Sequence, residues 1–125
     1  MQQARVFVAG TDEPDEVSGA DVVVVDAAAS DQWGEVVRDR APNAVVIVVG
    51  GSPHEMCETT LFPRARIIGV DDREQADAIV ATIAAGEERE FETVVRCLGE
   101  RGVDDDFARV PVRIGPRGVI EIIER

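Results

Sequence analysis

Lysine is absent from this 125-residue chain: all 13 basic side chains are arginine, set against 25 carboxylates. The resulting formal charge of −12 argues against a nucleic-acid surface, which needs clustered basic residues. An acidic, arginine-only composition fits a halophile or a high-GC genome, where surface charge serves solubility and marks no partner. Aromatic bulk is limited to four Phe and one Trp, so the core must be aliphatic. The two cysteines, Cys57 and Cys97, lie far apart without metal-site spacing, which points to a reduced, cytoplasmic setting. No basic stretch followed by an apolar run opens the chain, and no apolar run approaches membrane-spanning length. The expectation is a soluble cytoplasmic protein with no nucleic-acid or membrane partner.

What is present is β-branched. Residues 45–49 read Val-Val-Ile-Val-Val without a polar break. A strand with one face in water alternates, so an unbroken run is buried on both faces, as in the interior of a parallel sheet. The run ends in Gly50-Gly51, where the backbone can turn sharply or admit a close neighbour. Crevices outside such strand ends are where α/β proteins keep ligands. Residues 22–25, four valines, read as a second internal strand, and 5–9 and 66–70 as two more short ones. Helix patterns alternate with them. One turn spans 14–18, with Asp12 as cap and Pro14 near its start. A helix over 31–40, capped by Ser30 or Asp31, puts Trp33, Val36 and Val37 on one face and Arg38 and Arg40 near its carboxyl end. A helix over 53–61, capped by Ser52, carries Met56, Cys57 and Thr60. The clearest helix starts at 71–74, where Asp71 and Glu74 have capping-box spacing. Its apolar stripe is Ala76, Ile79, Val80 and Ile83, and Gly86 sits at C′.

Beyond Glu90 the period falls to two. Phe91, Thr93, Val95 and Cys97 share one face, 99–102 form a turn, 104–106 a charged loop, and Ala108, Val110, Val112 and Ile114 line one face of the next strand. Gly115-Pro116-Arg117-Gly118 makes a hairpin turn before 119–123 return. Pro111 has no N–H to donate, so its strand lies at an edge or is bulged there. The expected fold is α/β: a small Rossmann-like parallel sheet of about four strands with helices, plus a C-terminal antiparallel section of three strands. One domain is expected over 1–125, the Rossmann-like part at 1–86 and the antiparallel tail at 87–125 packed on it.

Groups able to carry chemistry are few. His54 and Glu58 are i, i+4 on one helix face, with Glu55 nearby; no third ligand is visible, and no metal is expected. Gly50-Gly51-Ser52 could hold an anion at a helix start or form only a tight strand-to-helix turn. Asp26, at a strand end, is a functional carboxylate or the cap of the following turn. Cys57, next to Met56, reads as core.

Three blocks resemble the lactate/malate dehydrogenase family. Gly10-Thr11 through Ser18-Gly19-Ala20-Asp21 and the valines to Val25 look like the family's passage from its third to its fourth strand. Residues 41–49, on to Met56-Cys57 and then Phe62-Pro63-Arg64 and Ile67-Ile68-Gly69, are similar to its fifth strand, helix and sixth strand. Residues 99–119, with Val110-Pro111-Val112-Arg113-Ile114-Gly115, look like its last strands. The resemblance implies NAD as the candidate cofactor and a 2-hydroxy acid as substrate class. The departures are functional. The G-x-G-x-x-G fingerprint and its ribose-binding acid have no counterpart. Asp26-Ala27-Ala28 replaces the family's Thr-Ala-Gly, and the arginine-bearing loop that clamps substrate is missing. Gly50-Gly51 replaces Thr-Asn, the Asp-x-x-Arg pair has no match, and His54 is not at the catalytic histidine's place.

Hydride transfer needs a bound nicotinamide, a clamped carboxylate and a base. The reading is therefore a non-catalytic structural, regulatory or small-ligand-binding relative, with no catalytic residue and no cofactor. Ala27, Gly50 and Gly51 are its binding candidates, should a nucleotide or anion bind. The alternative is a minimal or partner-dependent NAD(P)-linked oxidoreductase. With the family's first two strands gone, residues 5–9 are expected to pair beside 22–25, through a right-handed crossover of about a dozen residues. Sheet edges that need cover lead to an expected homo-oligomer, or to association with a full-length dehydrogenase.

Overall fold

The computed structural model describes residues 4–98 and 105–123. It contains one seven-stranded sheet whose strand order follows the chain. Strands β1 (Val6–Val8), β2 (Val22–Asp26), β3 (Val45–Val49) and β4 (Ile67–Val70) run parallel. Strands β5 (Arg89–Leu98), β6 (Asp105–Gly115) and β7 (Gly118–Ile122) continue it antiparallel. Helices α1 (Ser30–Arg40) and α2 (His54–Thr60) connect parallel strands, and α3 (Arg73–Ala84) leads into the antiparallel part. The mixed α/β architecture matches the one read from the residues. β1 pairs with β2, Val6 opposite Val22, as expected for the first strand. No helix among the described residues is long and apolar enough to cross a membrane.

The valine runs explain the layering. Side chains of a strand alternate between faces, so β2 gives Val23 and Val25 to one face and Val22 and Val24 to the other, all buried. The first set joins Val37 of α1, Met56 and Cys57 of α2, and Val46, Val48 and Ile67. The second set joins Ala76, Ile79 and Ile83 of α3 with Ile47, Ile68, Val95, Val112 and Ile114. Strand order that steps in one direction with right-handed crossovers puts successive connecting helices on one face, which accounts for α1 and α2 sharing a layer. The connection into β5 is antiparallel and leaves α3 free to cover the other face.

Several helix ends differ from their sequence reading. The first turn is a 3₁₀ segment, Pro14–Val17, whose N-cap Glu13 makes no side-chain cap bond. Asp12 instead accepts the Val8 N–H at 2.8 Å, while the Val8 carbonyl takes the Thr11 and Asp12 N–H groups. Asp12 thus closes part of the free edge of β1. Helix α1 has Ala29 at its N-cap without a side-chain cap bond, so neither Ser30 nor Asp31 caps it; a 3₁₀ turn, Ala27–Ala29, runs straight into it. The cap of α3 is Asp72, which accepts the Gln75 N–H at 2.9 Å, and not Asp71, which is drawn off to the tail. Gly86 does stand at C′: its N–H reaches the Ile83 carbonyl and the next N–H, of Glu87, the Thr82 carbonyl, as in a Schellman ending.

The tail holds two further differences. Strand β6 begins at Asp105, so the backbone of Asp105 and Asp106 is strand and not loop; pairing of Leu98 with Asp105 extends the ladder that far. The turn over 99–102, Asp104 and the Cys97 side chain lie outside the described residues. Pro111 accepts the Ile123 N–H at 2.9 Å, where pairing with β7 runs out, so its missing donor falls at the end of a ladder. The irregularity in that pairing lies further on, at Arg113/Ile114. The hairpin closes as expected: Gly118 has φ +109°, and a Cβ there would fall 2.2 Å from the Ala65 carbonyl oxygen. Only glycine fits, because both the backbone region and the close approach exclude a side chain.

Candidate functional site: the crevice at the carboxyl ends of β3 and β4

The crevice forms where β3 and β4 end and the antiparallel tail folds past them. It encloses about 400 Å³ and is lined by Gly50, Gly51, Ser52, Asp71, Val94 and Phe107. Gly50 leaves β3 with φ +84° and open space where a Cβ would stand; its N–H is held by the Val70 carbonyl at 2.9 Å. Gly51 presses on Ala27, and a Cβ on Gly51 would lie 2.7 Å from the Ala27 Cβ. The three residues singled out from the sequence, Ala27, Gly50 and Gly51, are therefore neighbours. Their glycines let the end of β3 turn tightly over the end of β2. The N-cap of α2 is Pro53 and not Ser52; the Ser52 hydroxyl instead accepts the His54 N–H at 3.2 Å, one residue ahead of the cap. That helix has seven residues, too short to offer a substantial dipole to an anion.

The far wall comes from the tail. Arg109 of β6 donates to the Asp71 carboxylate in a close ion pair, both side chains exposed to solvent. This pair holds the Arg109 guanidinium more firmly protonated, chiefly through the hydrogen bond to Asp71 and then through its charge. Asp71, in the crevice lining, is thus already engaged by a guanidinium of the same chain. His54 stands at the rim. Its Nε2 lies 3.1 Å from Glu58 Oε1, and its ring meets Phe107 edge-on at 5.5 Å between centroids. Both His54 and Glu58 are mostly exposed. Among the described residues no third His, Cys, Asp or Glu joins them as a metal-binding group.

Other candidates fall elsewhere. Asp26 is exposed, opposite Val49 in the β2–β3 register. Cys57 is buried in the α1–α2 layer. Sequence reasoning missed Asp71, Val94, Phe107 and Arg109. Asp71 carried a usable signal, since it directly follows a buried strand. Phe107 and Arg109 carried none, because only the fold of the tail brings them to a strand end more than thirty residues away.

No protein-family model matches this chain, and no curated protein matches it in sequence. Solved structures do match. The chain is similar to malate dehydrogenase from Aeropyrum pernix at 16% identity and a TM-score of 0.72, over 92% of this chain and 71% of that one. It is similar to lactate dehydrogenase from Eimeria maxima, a structure with NADH and oxamate, at 13% identity and a TM-score of 0.70, over 92% of this chain and 70% of that one. The likeness read from the sequence blocks is thus met in three dimensions: the chain has a Rossmann-like fold of the kind seen in malate and lactate dehydrogenases.

Proposed function

We propose that this protein is a non-catalytic, small-ligand-binding or regulatory module built on a dehydrogenase-type scaffold, with the crevice at Gly50 and Gly51 as its ligand site. The observation that carries the reading is how the parallel strands are followed. A dinucleotide fold has a glycine-rich turn and a long helix after its first strand, and the pyrophosphate rests on that helix's N-terminus. Here β1, likened to the family's third strand, leads into a four-residue 3₁₀ turn, and β3 leads through Gly50-Gly51 into a helix of only seven residues. No described parallel strand passes through G-x-G-x-x-G into a helix, so these residues do not fit NAD. The crevice supports the same reading. Asp71 in its lining is already paired with Arg109, where a substrate clamp needs a guanidinium that is free. The histidine at its rim is held by Glu58 in an exposed setting, unlike a general base shielded from water.

Calorimetric titration of the full chain with NADH and NADPH, alongside turnover assays with malate and lactate, tests this. The expected result is no turnover and no saturable nucleotide binding. NADH binding with Kd below about 100 μM, some 5.5 kcal/mol, would overturn it in favour of an NAD-linked oxidoreductase. Small dicarboxylates belong in the same titration, with the Gly50 and Gly51 amide resonances as reporters of the crevice.

Association of copies is part of the same reading. The β1 edge is partly closed by Asp12, whereas β7 is outermost at the other edge and exposes Ile120 and Ile122. Pairing through β7 covers these side chains and the unpaired strand groups. Size-exclusion chromatography with light scattering at high salt should show a multimer; a monodisperse monomer would count against it.

A further inference from the structure

The opposite end of the sheet holds a second cavity, of about 560 Å³, lined by Asp21, Asn43, Val45, Arg66, Pro116 and Arg117. Asp21, Asn43 and Arg66 each precede a parallel strand, so this is the floor of the sheet, away from the crevice. The β6–β7 turn supplies the remaining wall, brought there by the close fit of Gly118 against Ala65. Five other arginines are neutralised locally. Arg38, Arg40, Arg73, Arg109 and Arg113 each lie beside a carboxylate. Arg66 and Arg117 have no ion-pair partner among the described residues.

Arg66 is also held in place. Its Nη1 donates to the Pro42 carbonyl at 2.7 Å and the Ala44 carbonyl at 3.2 Å, and its guanidinium stacks 4.2 Å from the Phe62 ring centroid. A guanidinium fixed by carbonyls and an aromatic face keeps its remaining N–H groups aimed and its charge uncancelled. Partial burial moves its pKa down, as expected of a cation short of a counter-charge. Asp21, the one carboxylate among the described lining residues, already accepts the Arg5 backbone N–H at 2.8 Å. Two guanidiniums and one carboxylate leave the described lining at about +1, inside a chain of net charge −12.

We propose that this floor cavity is an oxyanion-binding site in which Arg66 and Arg117 hold a phosphate or carboxylate group of a small metabolite and Asn43 donates a hydrogen bond to it. A planar guanidinium matches either group in a two-point contact. Arg117, on an exposed turn, supplies the adjustable arm and Arg66 the fixed one. The site lies at the other end of the strands from the crevice, so it stands or falls separately from the proposed function.

The test is calorimetry of the full chain with inorganic phosphate and with malonate, at constant ionic strength, with amide shifts recorded by NMR. Saturable binding of either anion with Kd of about 1 mM or tighter, and shifts centred on Asn43 and Arg117, is the expected result. Phosphate alone would assign a phosphate ester, malonate alone a carboxylic acid. R117Q, on the surface turn, should weaken binding at least about tenfold, the loss of one charged two-point contact. R73Q, the same charge change on α3, should leave it within about twofold, the scale of a screened distant charge. R66Q serves as a second variant only if its melting transition is retained. No saturation by either anion, equal weakening by R117Q and R73Q, or shifts centred on Gly50 and Gly51 overturns the proposal.

Discussion

The parallel half and the antiparallel tail solve the burial problem with different residue patterns. Strands β2, β3 and β4 are covered on both faces, and four successive residues of each are buried. In the tail, burial alternates along β6, where Val112 is buried and its neighbours Pro111 and Arg113 only partly so, and Glu121 of β7 pairs with Arg113 at 3.0 Å. The difference shows which contacts hold the molecule together. Ile47 loses all its exposure between two helical layers, whereas Ile120 on β7 remains 51% exposed. Stability should therefore concentrate in the parallel half, while the tail shapes both cavities.

The sharpest way to break this comparison is a matched pair. Ile47→Ala should lower unfolding free energy by about 3–4 kcal/mol through lost burial and the cavity left behind. Ile120→Ala should lower it by less than about 1 kcal/mol, since little apolar surface is lost. Equal shifts in urea midpoints would place the core elsewhere. Next comes the turn that ties the tail to the floor of the sheet. Gly118→Ala should cost about 2 kcal/mol or more, from left-handed backbone strain together with the clash at Ala65. An unchanged melting temperature would mean that the hairpin does not pack there.

Smaller effects test the ends of helices. Asp72→Ala should destabilise by about 1 kcal/mol, the usual worth of an N-cap, and speed hydrogen exchange at the Gln75 amide. Asp71→Ala, which removes an exposed ion pair, should cost less than about 1 kcal/mol and leave that amide protected. The reverse pattern would restore Asp71 as the cap. Leu61, 78% exposed with φ +59° at the end of α2, should be improved by glycine. Leu61→Gly is expected to stabilise by up to about 1 kcal/mol, because the left-handed region favours glycine. Chemical denaturation reads the gain.

Unbroken β-branched runs at 22–25 and 45–49 can be satisfied only by burial on both faces, so the internal parallel strands were legible from residue order alone. The alternation after Glu90 and the turn 115–118 announced an antiparallel tail by the same local logic. Which of two adjacent aspartates caps α3 was not legible: Asp71 and Asp72 are equivalent in sequence until Arg109, from a distant strand, engages one of them. The two cavities are likewise products of assembly. Each joins a strand end to side chains of the tail, Val94 and Phe107 above, Pro116 and Arg117 below, and no local pattern encodes a meeting across such separations. Residue order determines which surfaces must be hidden; the path of the whole chain decides which polar groups are left facing one another once they are.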